Sequence, residues 1–299
     1  MRNDRRGFTL IEILVALAVF GVVAATMLRV LMTAQRVTTA QTVRATLQSN
    51  LRVGSLVLPN ELRMLNQSDT SDILTATDSS ITYLAMRGFY TLCAAPGSAT
   101  SITVADSQPS GFTFGYRAPA VGDSLFLFYE NDTLKMSDDK WVRLGISAVS
   151  STTCGWPAAG SPAKTLTLGS TGIVTSATVV LSRFLKGSPV RVYEKTQIAP
   201  VTSGGFTWLG MCTGACSGGL QPVIGPLLTA GGITLTYYDT TGAAVTPSTL
   251  AIRNSLRNIS IRLIGVGEQS ISRGDATGGL SVLQDTLTTS VTLRNVKQN

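Results

Sequence analysis

The sequence predicts an α+β protein: a long N-terminal hydrophobic helix followed by a β-rich, mostly antiparallel globular domain. Three observations carry this reading. Residues 8–28 form an apolar run whose only charge is Glu12. Leucines then recur at helical spacing as far as Leu65. From about residue 70 the composition turns to Thr, Ser, Gly and Val in short alternating runs. No amphipathic helix of about 10–15 residues alternates regularly with those runs, which argues against a parallel βαβ sheet.

Charge and composition narrow the chemistry before any element is placed. The 299 residues include 24 Lys+Arg, 17 Asp+Glu and no His. Without His there is no Ser-His-Asp or Cys-His nucleophile, no His general base and no His-ligated zinc. Residues 1–60 carry +5 of the net charge of +7, and residues 61–299 only +2. The large C-terminal part is nearly neutral and has no dense Lys/Arg stripe interleaved with aromatics. Nucleic acid is therefore an unlikely partner. The basic excess sits at the N-terminus, where it can set membrane orientation.

The first element starts with Met-Arg-Asn-Asp-Arg-Arg-Gly, a short polar leader of net +2. The 21 residues from Phe8 to Leu28 make a helix of roughly 31 Å, about one hydrocarbon core. The Arg cluster should stay cytoplasmic with the rest of the chain on the far side. A secretory signal cleaved near Ala24-Ala25, or a plain membrane anchor, fits the basic start and the apolar run. Neither accounts for Glu12, because a carboxylate within a spanning helix is costly without a partner.

Gly7-Phe8-Thr9-Leu10-Ile11-Glu12 followed by the apolar run resembles the class III signal of type IV prepilins and pseudopilins. The resemblance implies that a membrane prepilin peptidase cuts between Gly7 and Phe8 and that Phe8 is N-methylated. It also implies that Glu12 pairs with a neighbouring subunit's amino terminus during assembly. A buried amine and a buried carboxylate are each expensive alone and neutralise each other as a pair. The family's fold is one long helix, half exposed for filament packing and half covered by a β-sheet. The chain length is similar to that of the larger minor pilins, of the pilus-assembly W or secretion pseudopilin J type.

Helical character should continue beyond the membrane, since Gln, Ala, Arg and Leu dominate residues 34–52. Leu47, Leu51, Leu58, Leu62 and Leu65 fall on one helical face, with Arg44, Gln48, Arg52 and Asn60 largely elsewhere. We read the stripe as core beneath a globular domain. Gly54 and Pro59 are expected to kink or break the helix. The organisation is then a leader at 1–7, a pilin helix at 8–66 (membrane-spanning 8–32, amphipathic 33–66) and a β-rich domain at 67–299.

In that domain residues 80–86, 124–129 and 140–149 read as strands, the last two separated by a turn and short excursion at 130–139. Further strands are expected at 173–181, 189–195, 232–238, 258–265 and 286–294, and a short helical turn within 249–258. Thr241-Gly242 and Gly278-Gly279 punctuate the later strands. One β-rich domain is expected, with two lobes as the alternative.

Cys93, Cys154, Cys212 and Cys216 all fall in the exported part, which suggests disulfides. Cys212-Thr-Gly-Ala-Cys216 is a tight pair with Gly214 for the turn. Pairing Cys212 with Cys216 and Cys93 with Cys154 is favoured over other connectivities. A zinc site would need matched close spacing, which Cys93 and Cys154 lack. Glu130, Asp132, Asp138 and Asp139 are weak calcium candidates, better read as solvated hairpin charges because EF-hand spacing is missing. No metal and no cofactor is expected. Ser161-Pro162-Ala163-Lys164 is the one Ser-x-x-Lys run, and it reads as a turn in a Gly/Pro loop rather than a nucleophile site. Ser203-Gly204-Gly205 lacks the Lys of a P-loop.

These readings converge on a structural subunit of a type IV pilus-like filament, not an enzyme. The expected partners are other pilin subunits, prepilin peptidase, an inner-membrane assembly platform and, before assembly, membrane lipid. The expected location is the bacterial inner membrane, then a periplasmic or cell-surface filament. The alternatives are a type II secretion pseudopilus component, a filament-tip module binding through loops near 93–123 and 200–232, and a signal-peptide-bearing hydrolase.

Overall fold

The computed structural model describes residues 9–66, 71–106, 114–115, 117–130, 139–156, 158–169, 181–272 and 280–293. Among the described residues one long helix, α1 (Leu10–Arg63), leads into fourteen strands. Thr9 caps its start and Met64 its end. Leu47, Leu51, Leu58, Leu62 and Leu65 are all buried, whereas Arg44, Gln48, Arg52 and Asn60 are exposed.

The helix does not break at Gly54 or Pro59, for α1 runs through both. Pro59 removes one helical N–H at a cost of about 3 kcal/mol. Leu58 and Leu62 are buried on either side of it, so tertiary packing holds the helix together. Gly54 is the point of close approach to the sheet. A Cβ there would lie 2.7 Å from Leu263 Cδ1 and 3.4 Å from Ile224 Cδ1.

The strands are β1 (Ile73–Ala76), β2 (Ile81–Leu92), β3 (Ser101–Ala105), β4 (Phe114–Gly115), β5 (Ser124–Tyr129), β6 (Lys140–Cys154) and β7 (Ser161–Leu168). They continue with β8 (Pro189–Ser203), β9 (Phe206–Thr213), β10 (Gln221–Leu227), β11 (Ile233–Asp239), β12 (Ala244–Val245), β13 (Leu256–Ser272) and β14 (Leu280–Thr292). A short helix, α2 (Leu250–Asn254), precedes β13, within the expected helical turn. The expected strand at 173–181 falls mostly outside the described residues, and Leu181 itself opens a 3-10 turn. Gly278-Gly279 also lies outside them. Strands β1, β3, β4, β7, β9, β10 and β12 escaped the sequence reading. Their alternation is short or interrupted by Pro and Gly, which carries little periodic signal.

Among the described residues two large hydrophobic cores form, joined by two long strands. All pairings are antiparallel. Near α1, strands β1, β2, β8, β9, β10 and β13, with β11, β12 and β14, make the sheet that covers the leucine stripe. Further along, β2, β3, β7, β6, β5 and β8 pair in a ring that closes back on β2, which is a six-stranded barrel. Inward side chains fill it, among them Leu92, Val104, Leu125, Leu127, Leu166, Phe184 and Val190. Strands β2 and β8 belong to both cores. Residues 81–86 pair with 193–198 over the helix, and residues 88–91 pair with 189–192 in the barrel. The register shifts between Met86 and Gly88, leaving Arg87 at the junction. Such a bulge bends a strand and re-aims a side chain.

Arg87 uses that position to tie the two cores together. It donates from Nη2 to Glu61 of α1 at 3.2 Å and from Nε to Glu194 of β8 at 3.1 Å. Glu194 also accepts from Arg117 at 2.9 Å, and Arg117 bonds Asp123 at 2.7 Å. The buried Tyr83 hydroxyl donates to Glu61 at 3.4 Å. A continuous line of charge thus runs from helix to barrel.

Asp72, 2% exposed, lies just past the end of α1 and accepts the Asn66 N–H at 2.8 Å. Burial pushes its carboxyl up to about 7, against the pull of that hydrogen bond and of Arg143 and Arg191. The folded state therefore binds this proton more tightly than the unfolded chain does. Its contribution to stability falls as pH rises from about 4 to about 7 and is level above that. Asp72→Asn keeps an acceptor for Asn66. Its melting temperature should match the parent near pH 4, exceed it increasingly up to pH 7, and stay ahead by a constant margin beyond. Melting curves across pH 4–9 check this.

Gly265 and Gly267 of β13 form the seat for α1. A Cβ on Gly265 would sit 2.5 Å from Leu47 Cδ1, and one on Gly267 would sit 2.6 Å from Val43 Cγ1. Gly265→Val should lift the helix off the sheet and lower stability by about 1–3 kcal/mol, read by urea unfolding.

Candidate assembly interface

The candidate surface is the part of α1 that the domain leaves bare. No residue in the most apolar 18-residue window of this helix is buried, and its mean hydropathy of 2.5 makes it a candidate membrane span. Leu10 is 81% exposed and Phe20 71%. An apolar surface of that length is stable only in lipid or against other apolar helices. The same helix is thus split by environment: its C-terminal half contributes to the core and its N-terminal half is a bare arm.

At the tip, Thr9 and Glu12 form a capping box. Thr9 Oγ1 accepts the Glu12 N–H at 3.3 Å, and the Glu12 carboxylate accepts the Thr9 N–H at 3.3 Å. The side chain of Glu12 therefore turns back to the positive end of its own helix, where a carboxylate is favoured. Glu12 is exposed and stands one helical turn from the chain start that cleavage after Gly7 would create. Gly7 and Phe8 themselves lie outside the described residues.

Where the arm leaves the domain, Thr38, Thr42 and Val43 face Pro226, Gly267 and Glu268 across a groove. Asn50 anchors the rim, donating from Nδ2 to the Gly225 carbonyl at 2.7 Å. The helix is therefore held by a polar clamp at the point where it begins to be buried.

Two disulfides stiffen the domain away from this arm. Cys93, just past β2, is joined to Cys154 at the end of β6, 61 positions on, with Cα atoms 6.1 Å apart. The bond packs with Ala105, Ala163 and Trp156 at the barrel rim. Cys212 is joined to Cys216 across the turn after β9, Cα atoms 5.3 Å apart, with Gly214 at φ +67°.

The remaining candidates separate. Glu130 and Asp139 flank the excursion between β5 and β6, while Asp132 and Asp138 lie outside the described residues. Among the described residues no group of three or more acidic, Cys or His side chains converges. Ser161-Pro162-Ala163-Lys164 is not the expected turn but the start of β7, pairing with residues 151–154 of β6. Lys164 Nζ donates to Ser151 Oγ at 2.9 Å and lies 3.8 Å from Asp106, so its charge is balanced across strands. Ser203-Gly204-Gly205 holds the β8–β9 hairpin turn, with both glycines at positive φ. Sequence reasoning missed the Glu61–Arg87–Glu194–Arg117–Asp123 line. Its Arg87–Glu194 link joins residues 107 positions apart, and no local pattern marks them.

The comparison with protein families agrees with the tip. Residues 2–28 match the prokaryotic N-terminal methylation motif. The chain therefore carries the signal of a type IV pilin-like precursor, a class processed by prepilin peptidase and assembled with other pilin subunits. The motif and the apolar helix fit a membrane-anchored precursor, and the motif suggests a structural subunit rather than an enzyme. No curated protein and no solved structure matches the chain.

Proposed function

We propose that this protein is a minor pilin or pseudopilin, a structural subunit of a type IV pilus-like filament. The observation that carries the reading is the coincidence of the methylation motif at residues 2–28 with a helix bare at its N-terminal half and buried at its C-terminal half. The basic leader keeps the chain start in the cytoplasm. Prepilin peptidase cuts between Gly7 and Phe8, and Phe8 is N-methylated. The arm waits in the inner membrane with the β domain outside. An assembly platform then extracts it into the filament, where residues 8–32 exchange lipid for equally apolar helices. Glu12 leaves its cap on Thr9 and meets the amine of a neighbouring subunit.

N-terminal sequencing of the mature protein tests the reading. The expected terminus is N-methylated Phe8, and Gly7→Val should leave the leader uncut. A terminus near residue 25 would identify a secretory signal and exclude the pilin reading.

A further inference from the structure

We propose that the arginine face of α1 docks a carboxylate-bearing helix from an unlike subunit of the filament. The inference rests on the filament reading above and names the chemistry of the neighbour. Between Glu12 and Glu61 the chain has four Arg (29, 36, 44 and 52) and no Asp, Glu or Lys. Their spacings of seven, eight and eight wind them around about half of the helix circumference. All four are exposed, and no ion pair among the described residues involves them.

Three occupants compete for this face. A second copy brings the same four arginines. Its two helical carboxylates are already engaged: Glu61 with Arg87 and Tyr83, and Glu12 at the helix start. Packing like charges together where water is displaced is repulsive. A lipid surface is too thin. The stripe extends about 34 Å along the axis, whereas each polar layer of a bilayer is roughly 5–8 Å deep. Anionic headgroups could meet Arg29 but not the whole row. A helix that crosses α1 along the winding of the stripe, with acidic residues at the heights of the arginines it meets, complements the row, and such complementarity selects a partner and its register. The stripe thus favours insertion among unlike subunits over a run of identical ones.

The test uses full-length processed protein in zwitterionic micelles. The parent and the R29E/R36E/R44E/R52E form are labelled with different fluorophores, and pairing is read by energy transfer. Mixed pairs should be at least about tenfold tighter than either homotypic pair, and the preference should shrink between about 0.05 and 0.5 M salt. If the parent pairs with itself as tightly as with the reversed form, the proposal is overturned. It is also overturned if mixing shows no preference while only the parent retains phosphatidylglycerol on transfer to zwitterionic vesicles, which assigns the stripe to lipid. Should the reversed form not fold, the R29Q/R36Q/R44Q/R52Q form replaces it and must self-pair more tightly than the parent; if it does not, the stripe is not what keeps copies apart and the proposal falls. N-terminal sequencing of the same preparations separates a failure of the processing reading from a failure of the docking surface.

Discussion

Arg87→Met should destabilise the folded protein by roughly 3 kcal/mol, the scale expected when one partner of a buried ion pair is removed. Arg87 is the sole link in the line of charge that touches α1, through Glu61, and β8, through Glu194. Its side chain is 16% exposed and that of Glu194 11%, so both charges are largely withdrawn from bulk water. Without Arg87, Glu61 loses its cation, and Glu194 keeps the Arg117 guanidinium and the hydrogen bond with Thr213. The pH dependence distinguishes this from simple loss of packing. Burial raises the Glu194 carboxyl, but hydrogen bonds from Arg117 and Arg87 outweigh it and hold the group below its usual range. A depressed carboxylate contributes stability that is complete above its unfolded value near 4.5 and is lost as pH falls through the lower folded value. The gap between parent and Arg87→Met should therefore be full at pH 7 and narrow below about pH 4. Urea midpoints at the two pH values measure it. An unchanged gap would show that the side chain acts by packing alone.

Removing the Cys93–Cys154 bond as the double Ser variant should cost roughly 4 kcal/mol. Removing Cys212–Cys216 should cost roughly half of that, on a chain-entropy account of the loops closed. The difference arises in the unfolded chain, where the first bond restrains a 61-position loop and the second only four. The long loop contains β3, β5 and β6, three of the six barrel strands. Loss of this bond should thus lower the barrel transition first and leave the helix-covering sheet, with its own core, to unfold later. Thermal unfolding of each double variant, with and without reductant, reads both effects. Equal losses for the two bonds would show that native packing, not loop closure, sets their value.

The charged tip, the apolar arm and the leucine stripe were legible because each is local. A cleavage motif is a run of adjacent residues, and a helix writes its buried face at a repeat of about 3.6 residues. Leu47, Leu51, Leu58, Leu62 and Leu65 announce their burial without any knowledge of what covers them. Ser124 to Tyr129 was equally plain, a short apolar strand between turn residues. Pro59 does not end the helix, for a physical reason. Local propensity counts the missing N–H but not the burial of Leu58 and Leu62 beside it. Ser161-Pro162 looked like a loop for the same reason, and it is pairing with Thr153 and Cys154 that makes it strand.

Local pattern alone was enough to read a methylation-type motif, a helix apolar at one end and striped at the other, and antiparallel sheet beyond it. Those properties follow from spacing and composition over a few turns. Only the tertiary structure decided that β2 and β8 are shared between a helix-covering sheet and a closed barrel, and that Arg87 bonds Glu61 and Glu194 where the two meet. Strand partners far apart in sequence are chosen by register and burial together, and a charge pair across 107 positions exists only once both strands are in place.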